Sequence, residues 1–331
     1  MICVRYSSYR TRGAVREDRV ILGAPLADDR NQIMSETTQP DNPERTTATS
    51  ADAVDEGIEP RAVAFAMNKG GVGKTILSIN VADRLAARGH DVLLIDTDPA
   101  GNATEGVGLA DAYHDGTHFG QLLSEDDEHA DVEPGDVIEE TDWFDVMPAH
   151  HDLARMQNIL DEDRMAIQYL EQKIVEPLLG EVYDYILIDT EASSDSLFMD
   201  AAIWASQNLM IPLVPSEESV RGFESLLNGQ IASARKQREV SILALVPNMC
   251  RSDNELKRLV TEITDNFPEY TPSFARKEML NTSPGPGIRE RIAIKRAWRE
   301  GVPLSGYDPD NDQVERFDEL GTIVEQGGIH E

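Results

Sequence analysis

Seven residues, Lys69-Gly70-Gly71-Val72-Gly73-Lys74-Thr75, constrain the fold of this chain more than any other stretch. An apolar run at 62–67 precedes them and a segment with helical spacing, 76–88, follows. The order is strand, glycine-rich turn, helix. Such a turn directs backbone N–H groups and a helix N-terminus at one point, which suits an anion, and phosphate is the anion that fits. Lys74 reaches the β- and γ-phosphates of a nucleotide, and Thr75 offers its hydroxyl to Mg²⁺. Ile76 opens the helix. The usual pattern has Gly five residues before the Gly-Lys pair, where this chain has Asn68. Lys69 is the informative departure, because a second cation beside a phosphate loop has no obvious structural use. A glycine turn that merely happens to precede a helix does not demand strand, turn and helix in register.

Two further motifs support the first. Residues 91–95 read as a buried parallel strand ending in Asp96-Thr97-Asp98-Pro99-Ala100-Gly101-Asn102. Carboxylates at the carboxyl end of a parallel strand lie where open α/β sheets bind ligands. A third strand, 185–188, ends in Asp189, the place for an acid that holds Mg²⁺ through water.

These residues resemble the ParA/MinD family of deviant Walker ATPases, most of all its ParA (Soj) branch. The likeness rests on KGGVGKT at 69–75, VLLIDTDPAGNAT at 92–104 and YDYILID at 183–189, and continues through MPAHHDLARM at 147–156 and RERIAIKRAWREGVPLSGYDPDND at 289–312. It implies ATP with Mg²⁺ as ligands, weak hydrolysis stimulated by a partner, and a homodimer that sandwiches ATP. It also implies that Lys69 reaches the partner's nucleotide, that Asp98 orients the attacking water, that Thr75, Asp96 and Asp189 serve the metal, and that Asn248 contacts the adenine. Gly70, Gly71, Val72, Gly73, Lys74 and Ile76 belong to the nucleotide site on the same basis. Three positions depart from the family pattern. Ile76 replaces a second hydroxyl, Ala100 stands where Gln is frequent, and Thr190-Glu191-Ala192-Ser193-Ser194 replaces a Pro-containing switch.

The 331 residues are 40% hydrophobic, enough for one substantial core. No apolar run approaches the roughly 20 residues of a membrane helix, and the run 20–27 is too short for a signal peptide. Cys3 and Cys250 are the only cysteines, so no CxxC metal or redox site exists. The net charge is −31, and only seven of thirty basic residues are lysine. An acidic, lysine-poor surface suits a cytoplasm of very high salt, where counter-ions screen self-repulsion. The composition reads as that of a halophile, by resemblance haloarchaeal. On such a surface any nucleic-acid contact needs a local basic patch.

Residues 1–33 carry six arginines against four acids and show no period. A Ser/Thr/Pro/acid-rich stretch follows from Met34 to Pro60, too polar to order itself. Residues 1–60 are expected to be a disordered extension, with Met34 the true start and 1–33 an upstream artefact or a basic tail. The ATPase domain is expected over 61–331. Strands are expected at 62–67, 91–96, 143–147, 183–189, 208–213 and 241–247. Helices are expected at 74–88, 151–160, 163–176, 196–206, 218–235, 253–265 and 311–325. The alternation predicts an α/β fold, a doubly wound, mainly parallel sheet with helices on both faces. Residues 125–142 hold ten acids and no lysine or arginine and read as a solvated loop. His150-His151 lacks a spaced third ligand and is not expected to bind metal.

The strongest basic cluster is Arg276, Lys277, Arg289, Arg291, Lys295, Arg296 and Arg299, opposed within 273–299 only by Glu278 and Glu290. Sequence-independent contact with double-stranded DNA needs only clustered cations. Pairing with neighbouring acids is the alternative use. Arg251 resembles a family position also used for DNA. The resulting expectation is a cytoplasmic, nucleoid-associated partition ATPase whose dimer binds non-specific DNA and answers to a ParB-like partner. A positioner of protein cargo would have the same core. A MinD-like membrane switch is disfavoured because residues 308–331 hold eight acids and one arginine. A biosynthetic ligase of this fold is disfavoured by Lys69 and the basic block.

Overall fold

The computed structural model describes residues 59–114, 116–123, 131–163 and 165–330. The expectations for 1–58 and for the acids at 125–130 lie outside the described residues. The chain divides into Met1–Gly57 and Ile58–Glu331, and the second unit is described here by itself.

β1 (Arg61–Phe65) runs through the glycine loop into α1 (Lys74–Ala87), and β2 (Val92–Asp96) into α2 (Asn102–Gly106) and α3 (Phe119–Leu123). β3 (Glu139–Glu140), β4 (Asp145–Met147), α4 (Leu153–Leu160), α5 (Glu176–Leu178) and β5 (Tyr185–Asp189) follow. Then come α6 (Leu197–Ser206), β6 (Asn208–Leu213), α7 (Glu217–Leu226), α8 (Ala232–Ala234), β7 (Ser241–Pro247) and α9 (Asn254–Asn266). The chain closes with α10 (Ile292–Arg299), α11 (Leu304–Tyr307) and α12 (Val314–Gln326). The sheet order is β3-β4-β2-β5-β1-β6-β7, parallel except for the antiparallel edge pair β3–β4.

All residues of β1, β2 and β5 are buried, as continuous apolar runs covered on both faces must be. The strand period of two divides their side chains between two cores. Leu93, Ile95, Ile186 and Ile188 join Phe119, Leu153, Phe198 and Phe223 on one face. Leu94 and Leu187 join Leu77, Leu85, Phe317 and Leu320 on the other. Helices therefore cover both faces, as the alternation predicted. Arg61 is buried and donates to the carbonyls of Val324 (2.5 Å) and Glu325 (3.1 Å), tying the C-terminal end of α12 to β1. A cation there answers the unpaired carbonyls of a helix end.

Two expected helices are broken. The segment 163–176 becomes a 3₁₀ turn (Ala166–Gln168) and a π turn (Glu171–Val175) before α5. The segment 218–235 becomes α7, a π turn (Leu227–Ile231) and α8. A π turn shifts the side-chain register, an effect that apolar periodicity does not register. In the second segment Gln230 Oε1 accepts a hydrogen bond from Asn68 Nδ2 (2.7 Å). The short α2, α3 and α11 and the two-residue β3 carry too little periodicity to be read from sequence. The exposed acids of β3 blunt a sheet edge.

After α10 the chain turns at Gly301, with φ +69°, where a Cβ would lie 2.7 Å from the Gly108 Cα. Both the left-handed backbone and the backbone contact exclude a side chain. Gly301→Ala is expected to lower stability by about 1–3 kcal/mol. Gly89→Ala, where φ is +97° but nothing lies within 4 Å of the added carbon, should cost less. Urea unfolding in molar KCl measures both, and equal midpoints would show that the Gly301–Gly108 contact contributes nothing.

Candidate nucleotide-binding site

β1 lies beside β5 and β5 beside β2, with Phe65 opposite Asp189 and Asp189 opposite Asp96. The carboxyl ends of all three strands thus reach one sheet edge, and the three sequence motifs become neighbours. The loop enters α1 through Gly73, whose φ of +88° is left-handed, and no side chain caps the helix. The first N–H groups of α1 are left for an anion. A Cβ at Gly73 would lie 2.2 Å from Asn248 Nδ2, which donates to the Val72 carbonyl (2.8 Å). Asn248, expected at the adenine, props the loop from behind in this arrangement.

Thr75 Oγ1 donates to Asp189 Oδ2 at 2.7 Å, while Asp189 Oδ1 is buried without a partner. Asp96 Oδ2 accepts from the N–H and the hydroxyl of Thr104, both at 2.8 Å, and Oδ1 accepts from the Asp98 N–H at 3.2 Å. Burial pushes Asp96 up to about 7 against the pull of the Thr104 bonds. Burial also raises Asp189 well above the carboxylate range, and the charge of Asp96 adds to this. Burial lowers Lys74, against the attraction of Asp189, Asp98 and Glu191. Its Nζ reaches the Met67 carbonyl at 3.5 Å. Two buried acids, one with an orphaned oxygen, beside a threonine hydroxyl form a donor set that fits Mg²⁺. Thr75 and Asp189 are placed to hold such an ion. Asp96, with both oxygens already bonded, is suited to act through water.

Residues 70–76 line a cavity of about 470 Å³ with Asp98, Thr190 and Met249. That volume suits a small-molecule ligand. Lys69 sits apart, paired with Glu218 of α7 at 3.7 Å. In the departing switch segment, the Thr190 hydroxyl donates to the Phe65 carbonyl (2.7 Å).

The basic block is not one surface. Lys295 and Arg299, expected at DNA, line the nucleotide cavity with Trp298. Arg289 is buried and donates to Ser252 Oγ (2.8 Å), which removes it from any DNA-facing surface. Its backbone bridges Cys250, just after β7, and its own N–H donates to Gln313 Oε1 (2.7 Å), just before α12. Arg251 pairs with Glu290 (2.5 Å), Lys277 with Asp265 (2.6 Å) and Arg291 with Asp312, while Arg276 donates to the Thr271 carbonyl (3.3 Å). Arg296 is exposed and has no ion pair among the described residues.

Among the described residues, one group offers three potential metal ligands: His118, His150 and Asp152. Of the pair His150-His151 the group keeps only His150, joined by Asp152 and by His118 from a segment distant in sequence. The two rings stack at 4.2 Å and 5°, so no point lies in both ring planes, and the Asp152 N–H donates to His150 Nδ1 (3.2 Å). As arranged, the group is a packed stack and not an open coordination site.

Thr104, Met249 and Trp298 were not singled out from the sequence. Thr104 stands within the second motif, but its bonds to Asp96 depend on the turn of α2.

A family model described as an AAA domain matches residues 60–242. The probable plasmid-partitioning protein ParA of Thermus thermophilus is 30% identical over 292 residues, which span 82% of this chain and 81% of that protein. The sporulation initiation inhibitor protein Soj of Bacillus subtilis is 28% identical over 275 residues, 80% of this chain and 98% of Soj. Among solved structures, an ATP complex of McdA from Cyanothece superposes with a TM-score of 0.63 at 22% identity, covering 83% of this chain and 99% of that one, a likeness of fold.

Because burial raises both acids, the folded state keeps protons that the unfolded chain has released. Stability therefore falls as pH climbs from the ordinary carboxylate range through the raised values of the two acids, about 7 for Asp96. Asp189→Asn keeps an acceptor for Thr75 and removes one buried charge. It is expected to stabilise the nucleotide-free, metal-free protein at pH 7.5 by about 1–2 kcal/mol. It should also shrink the loss of stability between pH 5.5 and 7.5. Thermal melts in EDTA measure both effects, and an unchanged pH slope would refute the buried-acid account.

Proposed function

The chain belongs to the ParA/MinD family of ATPases, and on that footing we propose that it is a DNA-partition switch driven by ATP and Mg²⁺. The observation that carries this reading is the cavity lined by residues 70–76 and Asp98 at one sheet edge, with Thr75 in its wall bonded to the buried Asp189 behind it. In this reading the loop N–H groups and Lys74 hold the phosphates. Thr75 and Asp189 would hold Mg²⁺, with Asp96 acting through water, and such an ion would supply positive charge beside the phosphates. Asp98 lines the cavity and accepts the Ala100 N–H (2.9 Å) at one oxygen, so its other oxygen is the one that orients water. Turnover is slow until a ParB-like partner stimulates it.

Lys69 reaches the nucleotide of a second subunit. Its place outside the cavity, on an ion pair with partly exposed partners, supports this role, because such pairs contribute little and exchange readily. The ATP-bound homodimer then holds non-specific DNA through Arg251, Arg291, Arg296, Lys277 and Arg276. The acids that pair with several of these cations are exposed or part-exposed, so phosphates can displace them. Hydrolysis opens the dimer and releases the DNA.

A membrane-switch reading is less well supported. α12 packs Phe317, Leu320, Ile323 and Val324 into the core, leaving no free apolar face. Among the described residues no helix is long and apolar enough to cross a membrane.

Nucleotide titration and phosphate release in molar KCl test the site. Lys74→Ala is expected to abolish ATP binding, and Asp98→Ala to keep binding but stop hydrolysis. In the Asp98→Ala background, light scattering should show a dimer with ATP and a monomer without it. Addition of Lys69→Ala should abolish that dimer. ATP affinity unchanged by Lys74→Ala would remove the basis of the reading.

Mobility shifts across a KCl series test the DNA arm. The ATP-locked dimer should bind random duplex far better than the ADP form, with affinity falling as salt rises. Arg291→Glu with Arg296→Glu should remove that binding and leave ATP affinity intact. Equal weak binding in all states would favour a protein cargo instead of DNA.

A further inference from the structure

We propose that helix α10 contacts the nucleotide directly: Lys295 and Arg299 bind the phosphates of the nucleotide held by the loop of the same subunit. This inference rests on the reading of the loop cavity as a nucleotide site.

The geometry starts with helical spacing. Residues 295, 298 and 299 are related by three and four positions and share one helix face. That face lines the loop cavity. The rotation of α10 is fixed from behind, where Ile294 and Ala297 are buried against the core. Trp298 fixes it from the side, because its Nε1 donates to the Asn102 carbonyl (3.0 Å). The indole also fills the space that a side chain at Gly106 would need, with Trp298 atoms 2.3 Å from the added carbon. α10 is thereby docked on the turn that follows Asp98. The Gly301–Gly108 contact closes the far end of the same interface.

Electrostatics supply the reason for cations there. At the loop end, Lys74 faces Asp98, Asp189 and Glu191. Asp96 lies fully buried beside Asp189. A polyphosphate entering this acidic surround needs more positive charge than Lys74 provides, even with Mg²⁺ bound. Arg299 is exposed on the cavity wall with no ion pair among the described residues. Among the described residues Lys295 pairs only with Glu290 (2.7 Å), a partly exposed pair that a phosphate displaces readily. In molar salt the screening length is about 3 Å, so a cation must touch the phosphate to matter. An arginine fork is the side chain best suited to that contact.

The consequence is a division of labour along one short helix. Lys295, Trp298 and Arg299 face the nucleotide, while Arg296 faces solvent beside them. Nucleotide binding then clamps the element that carries an exposed DNA-facing cation.

ATP affinity measured by calorimetry in molar KCl tests the proposal. Arg299→Gln should raise the Kd about 5-fold, and Lys295→Gln with Arg299→Gln at least 20-fold. Arg299→Lys should recover part of the loss. Lys236→Gln, an exposed lysine outside the cavity, controls for loss of charge and should leave affinity unchanged. Melting curves without nucleotide should coincide with wild type, which separates contact from misfolding. ATP affinity at the wild-type level in the double variant overturns the proposal. If Lys74→Ala abolishes binding in the same series, the nucleotide site stands and only the role of α10 falls; if Lys74→Ala also binds normally, both fall. A double variant that keeps ATP affinity but loses random-duplex binding at saturating ATP would assign this face to DNA and likewise refute the proposal.

Discussion

The parallel pairing of β1, β5 and β2 is the constraint on which the rest of this molecule depends. It sets Phe65 opposite Asp189 and Asp189 opposite Asp96. A one-residue slip would exchange the side chains that these strands give to the two cores, which are packed with different partners. The two cores therefore enforce the register that brings the glycine loop and both acids to one edge. Site geometry and core packing are the same constraint seen at two ends of the strands.

That edge is costly without ligand. Asp96 and Asp189 are fully buried, Lys74 nearly so, and Asp189 Oδ1 and Glu191 Oε1 are buried without a partner. Desolvation opposes each charge, and the hydrogen bonds from Thr104 and Thr75 offset only part of it. Thr104 has a second role, since its Oγ1 also accepts the Ala149 N–H at 2.8 Å. The position of Asp96 is thereby coupled to the turn before α4. Strain of this kind is expected where a protein must bind a divalent cation and a polyanion together.

The late basic block shows why a charge cluster in sequence is a poor map of a surface. Its seven cations meet three environments: the core for Arg289, the nucleotide cavity for Lys295 and Arg299, and acid-studded surface for most of the rest. Glu290 alone bridges Arg251 and Lys295, two cations 44 positions apart in the chain, and is held down at about 2 by them. Arg251, Lys277, Arg291 and Lys295 each find a local acid, whereas Arg296 and Arg299 are exposed with no ion pair among the described residues and have charge to offer a ligand.

The loop, the strand-end acids, the doubly wound sheet and the family are legible in the order of residues, because these rest on local periodicity and on residue chemistry at fixed spacing. Lys74, Thr75, Asp96 and Asp189 are legible for that reason: each sits at a strand end or helix start that the pattern marks. Which elements touch is settled by packing in three dimensions. The π turns at 171–175 and 227–231 follow from packing and not from apolar spacing. Thr104 meets Asp96 because α2 turns back over β2. His118 meets His150 across a gap of 32 positions. Lys295 and Arg299 reach the nucleotide loop, more than 200 positions away in the chain, because Trp298 docks α10 on α2. Periodicity carries information over one helix or strand, whereas a binding wall is assembled by contacts between elements whose distance in sequence says nothing about their distance in space.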